Sequence, residues 1–262
     1  MRDILVVARK EFREQLRRRS DVFRYIWFAV IFGGLFPLSN LGQGYSALVA
    51  GSLPWLAYAS IITSSSATVG AFFLERQRGT LETLLATPLS DLAIFAGKVA
   101  FGLFISLIAL LAAVLVELVA VNVALRAGPG AVAGHPAGLF SFPPVACFAL
   151  FVTGPLVLLY NISAGTLISL RVRHVRTASL LSLLAATPLG VPLGVVALVA
   201  RPGLNWPFLL NFTAAMVLVD AVALLAALRL FSRETVVLNI PSWVRGQSSV
   251  AAPRCSQRAT DH

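Results

Sequence analysis

The fold is decided by residues 25–74, which read YIWFAVIFGGLFPLSNLGQGYSALVAGSLPWLAYASIITSSSATVGAFFL. No Asp, Glu, Lys or Arg occurs in these 50 residues, whereas ordinary soluble domains carry roughly 25% charged residues. A bilayer span needs about 20 apolar residues at about 1.5 Å each, so this stretch is too long for one span. Pro37, Asn40 and Gly44 interrupt it with turn-forming residues. We therefore predict two membrane-spanning helices joined by a short turn.

The composition of the whole chain agrees with a membrane protein. Of the 262 residues, 58% are hydrophobic and 12% are charged, and the mean hydropathy is +0.84. These values exclude a soluble globular enzyme and a disordered protein. The net charge of +10 does not indicate nucleic acid, because the basic residues lie beside apolar stretches, where they fix topology and contact anionic lipids. We expect the lipid bilayer as a partner and no nucleic acid.

Charge-free runs predict an all-α integral membrane protein with six transmembrane helices in one domain, residues 1–240. The predicted spans are residues 22–41, 52–74, 92–125, 142–170, 178–200 and 205–231. Of the 21 Lys and Arg residues, all but Arg126 and Arg201 fall on one side of these spans. Basic residues stay on the cytoplasmic side, so both termini are predicted to be cytoplasmic. Residues 241–262 are predicted to be a polar, disordered cytoplasmic tail.

A basic amphipathic helix is predicted over residues 1–20, before the first span. Apolar residues recur there at helical spacing, and basic residues occupy the rest of the circumference. The apolar positions are Leu5, Ala8, Phe12 and Leu16. We expect this helix to lie in the membrane interface. It serves either as a topogenic anchor or as a brace between the first span and a cytoplasmic partner.

The connection between the second and third spans, residues 75–91, reads ERQRGTLETLLATPLSD. Gly79 can close the preceding helix, Thr80 can cap a new one and Pro88 ends it, which predicts a short helix over residues 80–87. An isolated helix of this length is not stable in water. Its leucines form an apolar face that needs a cover. That cover is either a docked partner, or the lipid interface and the chain's own helix ends.

A few polar residues fall inside or beside the predicted spans. Asp220 lies near the middle of the sixth span, where a carboxylate is costly, and substrate contact, proton coupling and a structural hydrogen bond all stay open. Asn161 suits hydrogen bonding between helices, with substrate contact as the alternative. Asp220 and Asn161 are therefore candidates for a translocation pathway. We expect Glu117 to reach the headgroups at the far end of the third span, and Lys98 to anchor its near end at the interface.

The connection and its surroundings resemble the membrane subunits of ABC-2-type ABC transporters. The resemblance is carried by Glu75, Gly79-Thr80-Leu81-Glu82, Leu84-Leu85-Ala86-Thr87-Pro88-Leu89-Ser90 and Gly97-Lys98. Weaker similarities at residues 8–11, 176–178 and 231–234 extend it over about the first 235 residues. In that family the short helix is a coupling helix seated in a groove of a separate ATPase subunit. The resemblance assigns this contact to Glu75, Gly79, Thr80, Leu81, Glu82, Leu84, Leu85, Thr87 and Pro88.

The same resemblance implies an assembly and a location. Two membrane subunits, as a homodimer or as a heterodimer with a related permease, would join two ATPase subunits in the bacterial plasma membrane and usually export their substrate. ATP and Mg²⁺ are expected on the ATPase, because this chain lacks the phosphate-binding pattern G-x-x-x-x-G-K-[ST]. We expect no cofactor, no metal and no catalytic residue in the chain itself.

Other functions compete with this interpretation. The membrane subunit of haem export in cytochrome c maturation has a similar size and a similar short helix. An ion-coupled secondary transporter or channel would need no ATPase and would use Asp220 and Glu117 to carry coupling ions. A membrane-embedded enzyme would need a nucleophile with its base, or a metal cluster, and the sequence offers neither.

Overall fold

The computed structural model describes residues 2–17, 19–41, 44–77, 91–127, 139–172, 177, 180–185 and 206–230. These ranges are helical apart from short turns and connections, and they contain no strand, so the all-α prediction is confirmed for them. Residues 180–185 are helical as well. The helices are α1 (Arg2–Arg17), α2 (Arg19–Val30), α3 (Phe36–Ser39), α4 (Tyr45–Gln77), α5 (Asp91–Ala127), α6 (Pro144–Phe148), α7 (Gly154–Arg171) and α8 (Trp206–Leu230).

Five helical segments in the described ranges are long and apolar enough to cross a membrane. They are Ser20–Ser39, Leu48–Thr68, Leu92–Arg126, Pro144–Ser169 and Trp206–Arg229. They correspond to the first, second, third, fourth and sixth predicted spans. Of the fifth predicted span, 178–200, only residues 180–185 are described. The predicted coupling helix, residues 80–87, and the tail, residues 241–262, lie outside the described residues.

The second span begins earlier than expected, because α4 starts at Tyr45 and not near residue 52. Gly44 has a positive φ of 92°, a conformation that glycine adopts without steric cost, and it ends the preceding turn. The Tyr45 hydroxyl donates to the Ser141 carbonyl oxygen at 2.6 Å. This bond fixes the first turn of α4 to the segment before α6.

The central helix of the described bundle is α4, which packs against both α5 and α7. The two N-terminal helices α1 and α2 pack against α5, and α8 packs against α7. We call the end of the bundle with Gln77 and Asp91 the connection end, and the opposite end the Arg126 end. Only one face of α8 is buried in the chain, and Leu218 and Val222 on its other side are 70% and 69% exposed.

Two turns of π-helix interrupt the spans, and each ends two residues before a proline. Residues Ile31–Leu35 precede Pro37, and residues Ala149–Thr153 precede Pro155. A proline has no N–H for the i→i−4 bond, and its ring clashes with the carbonyl of residue i−4. The wider turn accommodates this, with Phe36 N–H bonded to Ile31 O and Gly154 N–H bonded to Ala149 O. The helices therefore continue through both prolines.

The first π-helical turn lies very close to the backbone of α5. Gly33 and Gly34 are both buried there. A Cβ at Gly33 would overlap the backbone carbonyl oxygen of Ala113, whereas a Cβ at Gly34 would lie 3.5 Å from Val116 Cγ1, an ordinary contact. Glycine at position 33 therefore sets the distance between the two backbones.

Replacing Gly33 with alanine is expected to destabilise the protein by about 1–3 kcal/mol, because the new methyl group forces two packed backbones apart. Gly34→Ala is the matched control and is expected to be neutral or slightly stabilising, because alanine favours helix more than glycine does. Thermal unfolding of both variants in the same mild detergent, followed by tryptophan fluorescence, measures the difference. Equal midpoints for the two variants would contradict the close approach.

Candidate functional site

The predicted coupling residues flank or occupy a connection that is mostly outside the described residues. Glu75 lies in the last turn of α4, which ends at Gln77, and α5 begins at Asp91. The other predicted contact residues are Gly79, Thr80, Leu81, Glu82, Leu84, Leu85, Thr87 and Pro88, and all of them fall in the range that is not described. Their role in coupling stays a prediction. The described helices next to the connection supply the site's geometry.

The N-terminal helix α1 packs near this connection. Ala8 and Phe12 lie against a buried cluster formed by Ala67 of α4 and by Phe101 and Ile105 of α5. Phe12 also meets the Phe104 ring edge to face, with 5.8 Å between the ring centroids. The basic residues on the other side of α1, Arg9, Lys10 and Arg13, are exposed. The helix therefore uses two of its predicted apolar positions to cover the connection end of α4 and α5.

A buried ion pair joins α1 to α5. Lys98 Nζ lies 2.8 Å from Glu11 Oε1, and the two side chains are 0% and 8% exposed. We expected Lys98 to anchor α5 at the membrane interface, and the structure buries its ammonium group in the packing between α1 and α5. A buried charge is costly unless a partner of opposite sign offsets its lost hydration. Glu11 supplies that charge and fixes the position of α1 along α5.

A second set of polar contacts closes the corner between α1 and α2. Gln15 Nε2 donates to the Tyr25 hydroxyl at 2.7 Å and to Asp21 Oδ2 at 3.4 Å. Asp21 in turn pairs with Arg24 at 2.9 Å. These contacts tie α1 to the start of the first span. The N-terminal helix is thus attached to two transmembrane segments, which favours the brace interpretation over a simple anchor.

Asn161 is the centre of a polar junction between three helical segments. Its side chain is fully buried, and its Nδ2 donates to Ile61 O at 3.2 Å, Ser64 Oγ at 2.7 Å and Ser65 Oγ at 3.0 Å. Its Oδ1 accepts from Ser65 Oγ and from Ser182 Oγ, each at 3.4 Å. The junction links α4, α7 and residues 180–185. The hydrogen bonds expected between helices are present, and a place for Asn161 in a translocation pathway stays a prediction.

Asp220 is a buried carboxyl group without a hydrogen-bond partner among the described residues. It is 4% exposed and lies on the face of α8 that also carries the buried residues Met216 and Ala227. Asp220 therefore faces other helices, as the sequence indicated. A buried carboxyl group without a hydrogen-bond partner is costly. A polar group that could hydrogen-bond to Asp220 would therefore bind favourably at this position.

We expected Glu117 to reach the headgroups, but the structure buries its carboxyl group. Its side chain is fully buried on α5, and neither carboxyl oxygen has a hydrogen-bond partner in the described part of the chain. Ser52 on α4 is the neighbouring hydroxyl, but it donates to the Val49 carbonyl at 3.1 Å. The sequence correctly indicated that Glu117 lies toward the Arg126 end of α5. It did not reveal that α4 packs over this face.

The arrangement defines the class of the protein. Among the described residues, five apolar helices are long enough to span a membrane. The buried polar groups described above face one another or neighbouring helices, which is the organisation of a multi-pass membrane protein. The ABC-2 type transporter family matches residues 2–218, and the chain belongs to this family. No curated protein matched the chain significantly. The chain is therefore a permease of the ABC transporter class, a transport subunit and not itself a catalytic one.

Sequence reasoning missed the partnership between Glu11 and Lys98. A signal was present, because Glu11 lies one helical turn from Val7 and Ala8 and so shares the face of α1 that packs against the bundle. An acidic residue on a buried face needs a buried basic partner. Lys98 is the one Lys or Arg between Arg78 and Arg126, which makes it the natural candidate.

Breaking the buried ion pair is expected to release α1 from α5. Glu11→Gln leaves the Lys98 charge buried without this ion-pair partner, at a cost of about 3–5 kcal/mol. Lys98→Met leaves the Glu11 carboxylate buried without its lysine, at a similar cost. The double variant is expected to lose less than the sum of the two single losses. Hydrogen exchange of the α1 amides, together with thermal unfolding, measures these effects.

The exposed pair of Arg24 and Asp21 serves as the control for this experiment. Their side chains are 44% and 19% exposed, and such pairs contribute about 0–1 kcal/mol. Arg24→Gln should therefore leave α1 protected from exchange. Additive losses in the Glu11 and Lys98 double variant would contradict the ion pair.

The Asn161 junction gives a separate prediction. Asn161→Ala removes every side-chain bond at the junction and is expected to cost about 1–2 kcal/mol. Ser163→Ala is the control, because the one bond that the Ser163 hydroxyl donates among the described residues goes to the Leu159 carbonyl of its own helix, at 2.9 Å. Thermal unfolding in detergent compares the two. A loss for Ser163→Ala as large as that for Asn161→Ala would count against the junction.

Proposed function

We propose that the chain forms the translocation pathway of an ABC exporter together with a second permease copy or a related permease. Two ATPase subunits bind ATP and Mg²⁺ and contact residues 80–87 of each permease. Closure of the ATPase pair pushes these residues and switches the permease pair from inward- to outward-facing. Both termini lie in the cytoplasm, and the assembly sits in the bacterial plasma membrane.

The observation that supports this proposal best is the way the described helices join at the connection end. The connection leads directly into α5 at Asp91, and α5 is bound to α1 through Lys98 and Glu11. A force applied at the connection therefore acts on α1, α4 and α5 as one packed unit. This is the mechanical requirement for transmitting a partner's movement to the membrane spans. Family membership adds that an ABC ATPase is the expected source of the force.

One observation favours a second candidate function, an ion-coupled transporter without an ATPase. Asp220 and Glu117 are both buried carboxyl groups, and none of their oxygens has a partner among the described residues. Intramembrane carboxyl groups are common at proton and ion sites. Family membership weighs against this candidate, since ABC-2 permeases work with a separate ATPase.

Affinity purification from the native host tests the proposal. The chain is extracted in mild detergent, and the proteins that accompany it are identified by mass spectrometry. A variant with Glu82→Ala, Leu84→Ala and Leu85→Ala removes one charged side chain and most of the apolar face predicted to dock. We expect a P-loop ATPase with the parent chain and at least a tenfold smaller yield of it with the variant.

The control carries three substitutions far from the connection, Leu210→Ala, Leu218→Ala and Val222→Ala, all at exposed positions of α8. It should retain the ATPase. If both triple variants recovered the same amount of ATPase, the proposal that residues 80–87 contact the ATPase would be contradicted. Transport by the isolated chain in liposomes, driven by an ion gradient and lost in Asp220→Asn, would overturn the ABC proposal in favour of the second candidate.

A further inference from the structure

The Arg126 end of α5 carries a groove that the transport mechanism proposed above does not use. Its volume is about 370 Å³, and its walls are apolar except for Asn122 and Arg126. Leu115, Val119 and Val123 follow one another at successive turns of α5 and are 60–63% exposed. In a membrane-spanning helix, such an exposed apolar row faces lipid or a partner within the bilayer.

The second wall of the groove is held in place by hydrogen bonds. Phe140 N–H donates to Asn122 Oδ1 at 2.7 Å, and Asn122 Nδ2 donates to the Phe140 carbonyl at 3.2 Å. The Phe140 side chain is buried. This clamp fixes the neighbouring Leu139 beside α5, where it lines the groove while remaining 64% exposed. Hydrogen bonds to the backbone of Phe140 therefore fix the shape of the groove, which does not depend on one mobile side chain.

The dimensions of the groove match one leaflet of a bilayer. The apolar segment Leu92–Arg126 has 35 residues and is about 52 Å long, which exceeds a bilayer of about 40–45 Å with its headgroups. We place Arg126, at the end of this segment, at headgroup level, because an arginine near the end of an apolar span extends its charge to the interface. From Leu115 to Arg126 the helix rises about 16 Å, close to the hydrocarbon thickness of one leaflet, about 15 Å.

The charge at the rim of the groove, on Arg126, has no ion-pair partner among the described residues. None of the described carboxylates forms an ion pair with Arg126, and the sequence has no Asp or Glu between Glu117 and Asp220. Glu117 is about 13 Å away along α5 and fully buried. Within the described part of the chain the Arg126 guanidinium is therefore open to an external anion.

We propose that the groove binds an anionic phospholipid of the leaflet at the Arg126 end, which is the outer leaflet in the topology proposed above. One acyl chain lies along Leu115, Val119 and Val123 against Leu139. The phosphate accepts hydrogen bonds from the Arg126 guanidinium, whose planar fork fits two phosphate oxygens. The inference needs only membrane insertion, so it stands or falls independently of the ATPase partner.

Retention of lipid by the purified full-length chain tests this site. The protein is reconstituted in nanodiscs of equal parts phosphatidylglycerol and phosphatidylcholine, then transferred to mild detergent and examined by native mass spectrometry. We expect one phosphatidylglycerol per chain to survive delipidation. Arg126→Gln should reduce this retention at least tenfold, and Arg126→Lys should reduce it less, because a lysine keeps the charge and loses the fork.

Two further variants separate the groove from general charge effects. Val119→Trp fills the groove without changing any charge and should also release the lipid. Arg229→Gln removes one positive charge from the last turn of α8, at the opposite end of the bundle, and should retain it. Thermal unfolding in lipid-free detergent should be the same for Arg126→Gln and the parent, which shows that the loss is not unfolding.

Several outcomes would overturn the proposal. Equal retention of phosphatidylcholine, whose choline cation neutralises its phosphate, would contradict the preference for a net anionic headgroup. Retention by Val119→Trp at the parent level would place the lipid elsewhere. The absence of retained lipid, with cross-links from a cysteine at position 119 to residues 128–138 or to a second copy, would assign the groove to protein.

Discussion

The described membrane-spanning helices are all subject to one physical constraint, the lack of water in the hydrocarbon core. Backbone N–H and C=O groups must bond within their own segment there, and polar side chains must find partners inside the bundle. Asn161 hydrogen-bonds to the serines of α4, and Lys98 forms an ion pair with Glu11. At Pro37 and Pro155, where a backbone bond is lost, the chain widens into a π-helical turn and the helix continues.

The same constraint explains the buried ion pair that attaches the N-terminal helix to the described bundle. A lysine buried in α5 requires a carboxylate, and the carboxylate comes from a helix outside the spans. The N-terminal helix is consequently part of the packed structure and not merely an anchor. Gln15, Tyr25 and Asp21 extend this attachment to the first span. In the permease, α1, α5 and the start of the first span are thus held together next to the segment that we propose contacts the ATPase.

Charge placement along the sequence was sufficient to predict the five candidate spans among the described residues, because a bilayer excludes charge in runs of about 20 residues. The bounds of α5 and α8 were therefore predicted to within two residues. Contacts between helices were not predictable, since they depend on which faces meet: the burial of Glu117 and the pairing of Lys98 with a residue 87 positions away both arise from packing. The coupling residues were proposed from a resemblance, and except for Glu75 they lie outside the described ranges.

The length of α5 has a consequence for the whole N-terminal region. An apolar segment of about 52 Å fits a thinner bilayer mainly by tilting, so the inclination of α5 depends on membrane thickness. Because Glu11 fixes α1 to Lys98, and Gly33 brings the first span against the α5 backbone, both elements follow that inclination. We therefore expect membrane thickness to influence the angle at which the N-terminal helix meets the membrane surface, before any partner protein binds.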